Sequence, residues 1–187
     1  FFVISGDMKS QLSGTYYIGV DKDYEKIADA VDTLNSKGID SSVVFKIHKG
    51  IYEEQFIIKE FNIPDTNFSV LFTKYDDDSV VIQKDIVSSE TNYLVKMDSC
   101  QRVTFKNIIF KTNSDSFSNH IRLKGGASHN RFENCVFKAS KEINCELVNE
   151  QDGIVIYDEP SADKNEFNKF INNKIIGGCI GISLEGK

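Results

Sequence analysis

The chain has 187 residues, enough for one domain with a sizeable core, and its 27% charged and 40% hydrophobic residues are typical of a folded globular protein. Lysine and arginine number 22 against 28 acidic residues, so a formal net charge of −6 argues against nucleic acid as a partner. No apolar run approaches the roughly 18 residues that a bilayer requires, which argues against membrane insertion.

The chain begins with the short apolar stretch FFVIS. This stretch fits either the tail of a signal peptide or a short strand that closes against the domain.

One segment, residues 24–37, has clear helical periodicity and predicts a helix. Asp23 is a suitable N-cap, and Gly38 is a suitable residue to end the helix. We expect this helix to cap the open apolar end of a stack of strands, with a partner-binding helix as the alternative. The apolar face consists of Tyr24, Ile27, Ala28, Val31 and Leu34.

Beyond residue 40 the chain is a series of short strands in which apolar and polar residues alternate. The abundance of phenylalanine, 14 residues, and the presence of only 2 prolines agree with β structure. We predict turns of two strands each. In the first strand of each of six successive turns, two apolar side chains should point into the core. These pairs are Phe45 and Ile47, Val70 and Phe72, Val95 and Met97, Ile121 and Leu123, Ile154 and Ile156, and Ile180 and Ile182.

The motif F-x-N-x-x-F recurs after 27 residues, and a third copy ending in isoleucine follows after 38. A period of this size indicates a solenoid, and two polar insertions within residues 138–151 and 157–166 account for the longer interval. Chance recurrence in a Phe- and Asn-rich chain is the alternative. Because equivalent residues of a parallel stack lie about 4.7–4.9 Å apart, we expect stacked rings and a buried amide ladder. The ladder residues are Phe105, Asn107, Phe110, Phe132, Asn134, Phe137, Phe170 and Asn172.

These patterns predict an all-β parallel β-helix that forms one domain over residues 1–187. The strand and capping helix occupy about residues 1–40, and the turns of the coil occupy about 41–187. The final residues open a further turn with no capping element. We therefore expect an N-terminal part of a longer chain, with further turns or another chain at the C-terminal end.

Four cysteines, Cys100, Cys135, Cys145 and Cys179, lack the paired spacing of a zinc site. We interpret them as small buried apolar residues, with a disulfide between neighbouring turns of the coil as the alternative.

Three segments, LSGTYYIG, DYEKIADAVDTLNSKG and VVFKIHKGIYEEQFIIKE, resemble the start of the pectin-lyase-like right-handed parallel β-helix superfamily, which includes pectin methylesterase relatives and secreted bacterial surface proteins. The resemblance implies a right-handed coil and an extracellular or cell-surface location. The esterase signature strand with its nucleophilic aspartate has no counterpart in this chain, so esterase activity is not implied. The matching positions are Tyr24, Ile27, Ala30 and Val31 in the helix, followed by Gly50, Tyr52 and Glu54 in a G-x-Y-x-E motif.

In that superfamily, carbohydrate ligands lie along the outward face of one parallel sheet. The candidate ligand residues here are Lys96, Arg122 and Lys124, which suit uronate or sulfate groups, and Tyr157, which offers a stacking face. Asp98 is their acidic neighbour. Arg122 and Asp98 together could supply the neutralising cation and the base that a lyase would need. A solvated mixed-charge surface is the alternative. The outward positions are Lys46, His48, Leu71, Thr73, Lys96, Asp98, Arg122, Lys124, Val155, Tyr157, Ser183 and Glu185.

Other polar groups are interpreted as surface features. The run at residues 76–78 lacks the spacing of an EF-hand and predicts a solvated turn. No cofactor is expected, and calcium is the one ion kept as an alternative. We also expect an exposed loop with Asp158, Glu159 and Asp163, and surface positions for His48, His120 and His129.

The pattern as a whole favours a secreted or cell-surface β-helix scaffold that is adhesive or glycan-binding and not catalytic. Its expected partner is an acidic polysaccharide or surface glycan. One alternative is an enzyme acting on acidic polysaccharides, as a lyase or hydrolase. The other is a structural subunit of an extracellular assembly.

Overall fold

The structure is a computed structural model that describes residues 10–140, 143–147, 149 and 151–184. The opening FFVIS stretch and Glu185 lie outside the described residues. In chain order, the elements are β1 (Leu12–Ile18), α1 (Ile27–Lys37), β2 (Ile39–Ile47), β3 (Gly50–Glu53), β4 (Phe56–Ile58), β5 (Val70–Lys74), β6 (Val80–Gln83), β7 (Val95–Asp98), β8 (Val103–Lys106), β9 (Ile109–Lys111), β10 (Ile121–Lys124), β11 (Arg131–Glu133), β12 (Val136–Lys138), β13 (Ile154–Asp158), β14 (Lys169–Ile171), β15 (Lys174–Ile176) and β16 (Ile180–Ser183).

The strands form three parallel sheets that wrap around one core. Sheet A has the order β1-β2-β5-β8-β11-β14, sheet B has β3-β6-β9-β12-β15, and sheet C has β4-β7-β10-β13-β16. From β7 onward the chain passes through sheets C, A and B and then returns one turn further along. The predicted all-β, right-handed parallel β-helix is confirmed.

Each turn holds three strands, so the predicted two-strand turn is wrong. The strand that the prediction misses in the first of these turns is β3, whose four residues give too little alternation to be recognised. As a consequence, β5 pairs with β8, placing Phe72 beside Phe105, and does not pair with β7. The first two of the six predicted inward strands therefore belong to sheet A, and the other four belong to sheet C.

The inward residues of these strands form the core. The first five predicted pairs, from Phe45 and Ile47 through Ile154 and Ile156, are all buried. In the sixth pair, Ile180 is half-buried and Ile182 is 41% exposed.

Phenylalanine rings stack directly along the axis of the coil in two columns. In sheet B, the ring centroids of Phe110 and Phe137 are 5.1 Å apart. In sheet A, successive centroids are 4.7, 5.0, 5.6 and 5.4 Å apart. Such contacts add about 0.5–1.5 kcal/mol per pair to the burial of the rings. The sheet A column consists of Phe45, Phe72, Phe105, Phe132 and Phe170.

The predicted amide ladder of Asn107, Asn134 and Asn172 is wrong. These residues have φ values of 59°, 52° and 52° and form the sharp corner between sheets A and B, where Asn134 and Asn172 are exposed. Asparagine recurs there because it tolerates the left-handed conformation better than most residues. Side-chain amides make hydrogen bonds to the backbone instead at another corner, where Asn168 Oδ1 accepts the N–H of Asn130 at 2.9 Å.

Helix α1 packs against β1 and β4 and so closes the first turn of the coil. It begins at Ile27, three residues later than predicted, because Asp23 does not cap it; the Asp23 carboxylate accepts the N–H of Tyr17 at 2.7 Å instead. The end is as predicted, since Gly38 has φ 65° and donates its N–H to the Leu34 carbonyl at 2.9 Å. At 11 residues, α1 is too short to span a membrane, and the described part of the chain has no other α-helix.

The G-x-Y-x-E motif ties the helix to the coil. The Tyr52 hydroxyl donates to the His48 carbonyl at 2.9 Å. The two carboxylate oxygens of Glu54 accept the N–H groups of Ile27 and Ala28 at 3.2 and 2.7 Å. Glu54 therefore satisfies two orphan donors of the helix N-terminus from another element, and its negative charge suits the helix dipole.

The cysteines divide into two kinds. Cys145, in the first insertion, forms a disulfide with Cys179, just before β16, so the interpretation as buried apolar residues is wrong for this pair. Cys100 and Cys135 are free thiols and are buried. Burial raises the pKa of both thiols, that of Cys135 to about 11, so neither is a reactive thiolate near neutral pH.

Candidate functional site

The candidate residues lie on the outward side of sheet C. The register places Lys96 of β7 and Tyr157 of β13 on either side of Arg122 of β10, while Lys124 lies beside Asp98. Four other predicted members of this row are on sheet A instead, because β2 and β5 belong to that sheet. They are Lys46, His48, Leu71 and Thr73.

A shared carboxylate organises the basic residues. Arg122 Nε donates to one oxygen of Glu159 at 2.8 Å, and Lys124 Nζ donates to the other at 3.1 Å. Lys96 Nζ lies 3.7 Å from the Asp98 carboxylate. Three cations therefore face two carboxylates along this row.

Glu159 was predicted to be an exposed loop residue, and this is wrong. Its side chain is only 19% exposed. Burial alone would raise the pKa of Glu159, but the hydrogen bond from Lys124 and the charge of Arg122 outweigh it and lower the pKa below the usual value. Glu159 is therefore an anion at neutral pH. It continues the period-two alternation of Val155 and Tyr157, a signal that would have placed it in the row.

Tyr157 does not offer an open stacking face. It is 5% exposed, and all five residues of β13 are buried, including Val155 on the outward side. The Arg122 guanidinium lies 5.7 Å from the Tyr157 ring centroid, so the face of this ring contacts a cation of the same chain.

The register of β13 also differs from the predicted one by two residues. Ile121 pairs with Ile156 and not with Ile154, so Asp158, which follows Ile154 and Ile156 on the inward side of β13, lies beside Leu123. Asp158 is accordingly buried, contrary to prediction, and its carboxylate accepts a hydrogen bond from Asn165 Nδ2 at 2.5 Å.

The lyase pairing of Arg122 with Asp98 is absent from the described residues. Asp98 pairs with Lys96, and Arg122 pairs with Glu159. The ionised Glu159 is not in the protonation state of a general acid.

The histidines lie in three different environments. His120 is fully buried, contrary to the predicted surface position, with Nδ1 2.8 Å from the Ser118 carbonyl and Nε2 3.0 Å from the Lys138 carbonyl. His48 stacks on Tyr75 with ring centroids 4.4 Å apart. His129 is exposed and lies two residues before β11, at φ 59°.

The aspartate run forms the predicted turn between β5 and β6. Asp76 has φ 44°, and the Asp78 N–H donates to the Tyr75 carbonyl at 3.0 Å. Among the described residues, no three His, Cys, Asp or Glu side chains come together as a group able to hold a metal ion. Calcium binding stays a prediction.

Two crystal structures of the pectin methylesterase from Aspergillus niger, in deglycosylated and penultimately deglycosylated forms, are similar to this chain. Each shares 15% sequence identity, covers 89% of this chain and 87% of its own, and superposes with a TM-score of 0.37. These values carry no argument about activity, and the fold assignment rests on the strand pairing. No family model and no curated protein matches the chain.

Proposed function

We propose that the chain is a secreted or cell-surface β-helix scaffold that binds acidic glycans on the outward side of sheet C and is not itself an enzyme. The observation that supports this most is that Arg122 Nε and Lys124 Nζ each donate to one oxygen of the Glu159 carboxylate, at 2.8 and 3.1 Å. This is the two-donor geometry that a uronate would use.

In this proposal, the Glu159 carboxylate competes with the anionic group of the glycan for Arg122 and Lys124. An incoming carboxylate has to displace it from Arg122 and Lys124 or bind at Lys96 beside them. Removing the negative charge of Glu159 should therefore expose two cations that are already positioned, and affinity for a uronide should rise.

The extracellular part of the proposal is supported by the Cys145–Cys179 disulfide. Disulfides form and persist mainly in oxidising environments, and secreted proteins are their usual place.

The test is direct binding to polygalacturonate, with its methyl-esterified form as a neutral control on the same backbone. Replacing Arg122 and Lys124 together by glutamate should weaken binding about tenfold or more, since a charge-assisted hydrogen bond contributes about 1.5–3 kcal/mol. Glu159→Gln should strengthen binding. Lys84→Glu, an exposed residue just after β6, is the matched control and should change little.

Unaltered binding by the double variant would remove this face from the proposal. Release of new reducing ends or unsaturated products from the polymer would contradict the non-catalytic role.

A further inference from the structure

The outward side of sheet A is strongly basic on a chain whose net charge is −6. Alternation and register bring four cations to this side. The acidic residues among its strands are Asp40, exposed near the start of β2, and Glu133 of β11. Glu133 bonds both to Lys106 Nζ at 3.1 Å and to Arg131 Nε at 3.0 Å. The four cations are Lys46, Lys106, Arg131 and Lys169.

A column of large side chains borders these cations. Arg102, His129 and Phe167 each precede an outward residue of sheet A by two positions, and their φ values are 59°, 59° and 58°. The His129 and Phe167 rings are stacked, with centroids 4.8 Å apart and planes 15° apart.

Burial does not explain the ring of Phe167, which stacks on His129 but stays open to solvent. The residue is 66% exposed, although its backbone holds the left-handed conformation that disfavours a bulky residue. A sequence selected only for the turn would carry glycine or asparagine there, as the corners between sheets A and B do at Asn107, Asn134 and Asn172. The exposed aromatic face is therefore a feature that folding alone does not require.

An open cleft of about 240 Å³ lies between the column and the sheet and is lined by Arg102, Thr104, Arg131, Phe167 and Lys169, among others. Arg131 is tied to Glu133. Within the described part of the chain, neither Arg102 nor Lys169 has a carboxylate within ion-pair distance. Two cations without an ion-pair partner thus line the same cleft as an exposed ring.

We propose that this cleft is a second anionic-saccharide site, separate from the row on sheet C. One sugar ring packs on Phe167, and its carboxylate or sulfate binds Arg102 and Lys169. Uronic acids and sulfated sugars share this chemistry: an apolar ring face that carries an anionic substituent.

Single-stranded nucleic acid also stacks on aromatic rings beside cations. A saccharide is the better fit here, because the disulfide favours an extracellular setting.

The test titrates the whole chain with oligogalacturonate, heparin-derived oligosaccharide and single-stranded oligonucleotide, by calorimetry and by NMR of the His129 ring. Phe167→Asn removes the ring but keeps a residue that tolerates the backbone conformation, so folding should be preserved. It should weaken saccharide binding about tenfold, and Arg102→Gln with Lys169→Gln should weaken it further. Val87→Asn, at an 83% exposed residue, and Lys84→Gln are the matched controls.

In the wild type, the preferred saccharide identifies the anion as carboxylate or sulfate, and the His129 signals should shift on binding. The proposal is overturned if neither saccharide binds, if only the oligonucleotide binds, or if Phe167→Asn binds like the wild type. The sheet C variant with Arg122 and Lys124 both replaced by glutamate should leave the His129 shift intact. The two proposed sites can therefore be tested independently of each other.

Discussion

The side-chain Oδ1 of Asn130 accepts a hydrogen bond from the backbone N–H of Val103, 3.0 Å away and one turn earlier in the coil. The Asn130 Nδ2 group donates to the Cys100 carbonyl at 3.1 Å, and the side chain is fully buried. One amide thus satisfies two backbone groups at the corner that leads into sheet A.

Asn130→Leu should therefore lower the free energy of unfolding by roughly 2–6 kcal/mol, because each of the two buried groups left without a partner costs about 1–3 kcal/mol. Chemical denaturation of the variant measures this directly.

Asn134 is the matched control, since it follows the same strand but is exposed at φ 52°. Asn134→Leu should cost about 1–2 kcal/mol through its left-handed backbone, and Asn134→Gly should be almost neutral. A larger loss of unfolding free energy for Asn134→Gly than for Asn130→Leu would support an amide ladder at Asn134.

Glu54 should contribute a measurable N-terminal cap to α1. Glu54→Ala removes both acceptors from Ile27 and Ala28 and should lower stability by about 0.5–2 kcal/mol. The helical circular dichroism signal and the unfolding midpoint report the change, and Glu60→Ala at a nearby exposed position is the control.

The ionisation of Glu54 should also make the free energy of unfolding depend on pH, in a direction that its pKa predicts. Burial raises the pKa of Glu54 above its ordinary value of 4.5, and the two backbone hydrogen bonds oppose this only in part. The part of the stability that is linked to protonation of Glu54 is complete below pH 4.5 and is lost as the pH rises through the higher folded-state pKa. Glu54→Gln should thus gain stability relative to wild type as the pH rises through this window, and a constant difference between the two would contradict the raised pKa.

The coil could be predicted from sequence because its signals are local and repeated. The alternation that buries Phe105 and the recurrence of F-x-N-x-x-F both follow from one residue stacking on its equivalent. The meaning of the asparagines could not be read in the same way, because Asn134 and Asn130 are both periodic. Which of them is buried depends on which corner of the coil each one occupies.

The candidate site was harder to predict, because it depends on a register that the insertions obscure. A shift of two residues in β13 preserves the alternation and still changes the neighbours of Arg122. The contact between Arg122 and Glu159 joins residues 37 positions apart, so no local pattern contained it.

His120 should make the protein less stable in mild acid. Burial lowers its pKa from 6.5 to about 4, although the Lys138 and Ser118 carbonyls favour the protonated ring. The unfolded chain therefore binds the proton first, and stability falls as the pH drops from 6.5 toward 4, by up to about 3 kcal/mol.

The measurement is the free energy of unfolding of wild type and His120→Gln at several pH values between 7 and 4. We expect a steeper decline in the wild type, whatever the absolute cost of the substitution. Parallel curves would place the protonation of His120 outside this window. His129→Gln, at an exposed histidine, is the control substitution.

Thr112 offers a substitution that should stabilise the fold. Its side chain is buried, and its Oγ1 has no hydrogen-bond partner among the described residues. Thr112→Val keeps the shape and removes the unsatisfied hydroxyl, which should raise the free energy of unfolding by about 1 kcal/mol. Thr112→Ser keeps the hydroxyl and deletes a buried methyl group, and it should lower stability by about 1 kcal/mol. If the valine variant is the less stable of the two, the hydroxyl has a partner and Thr112 belongs to a polar contact of the corner after β9.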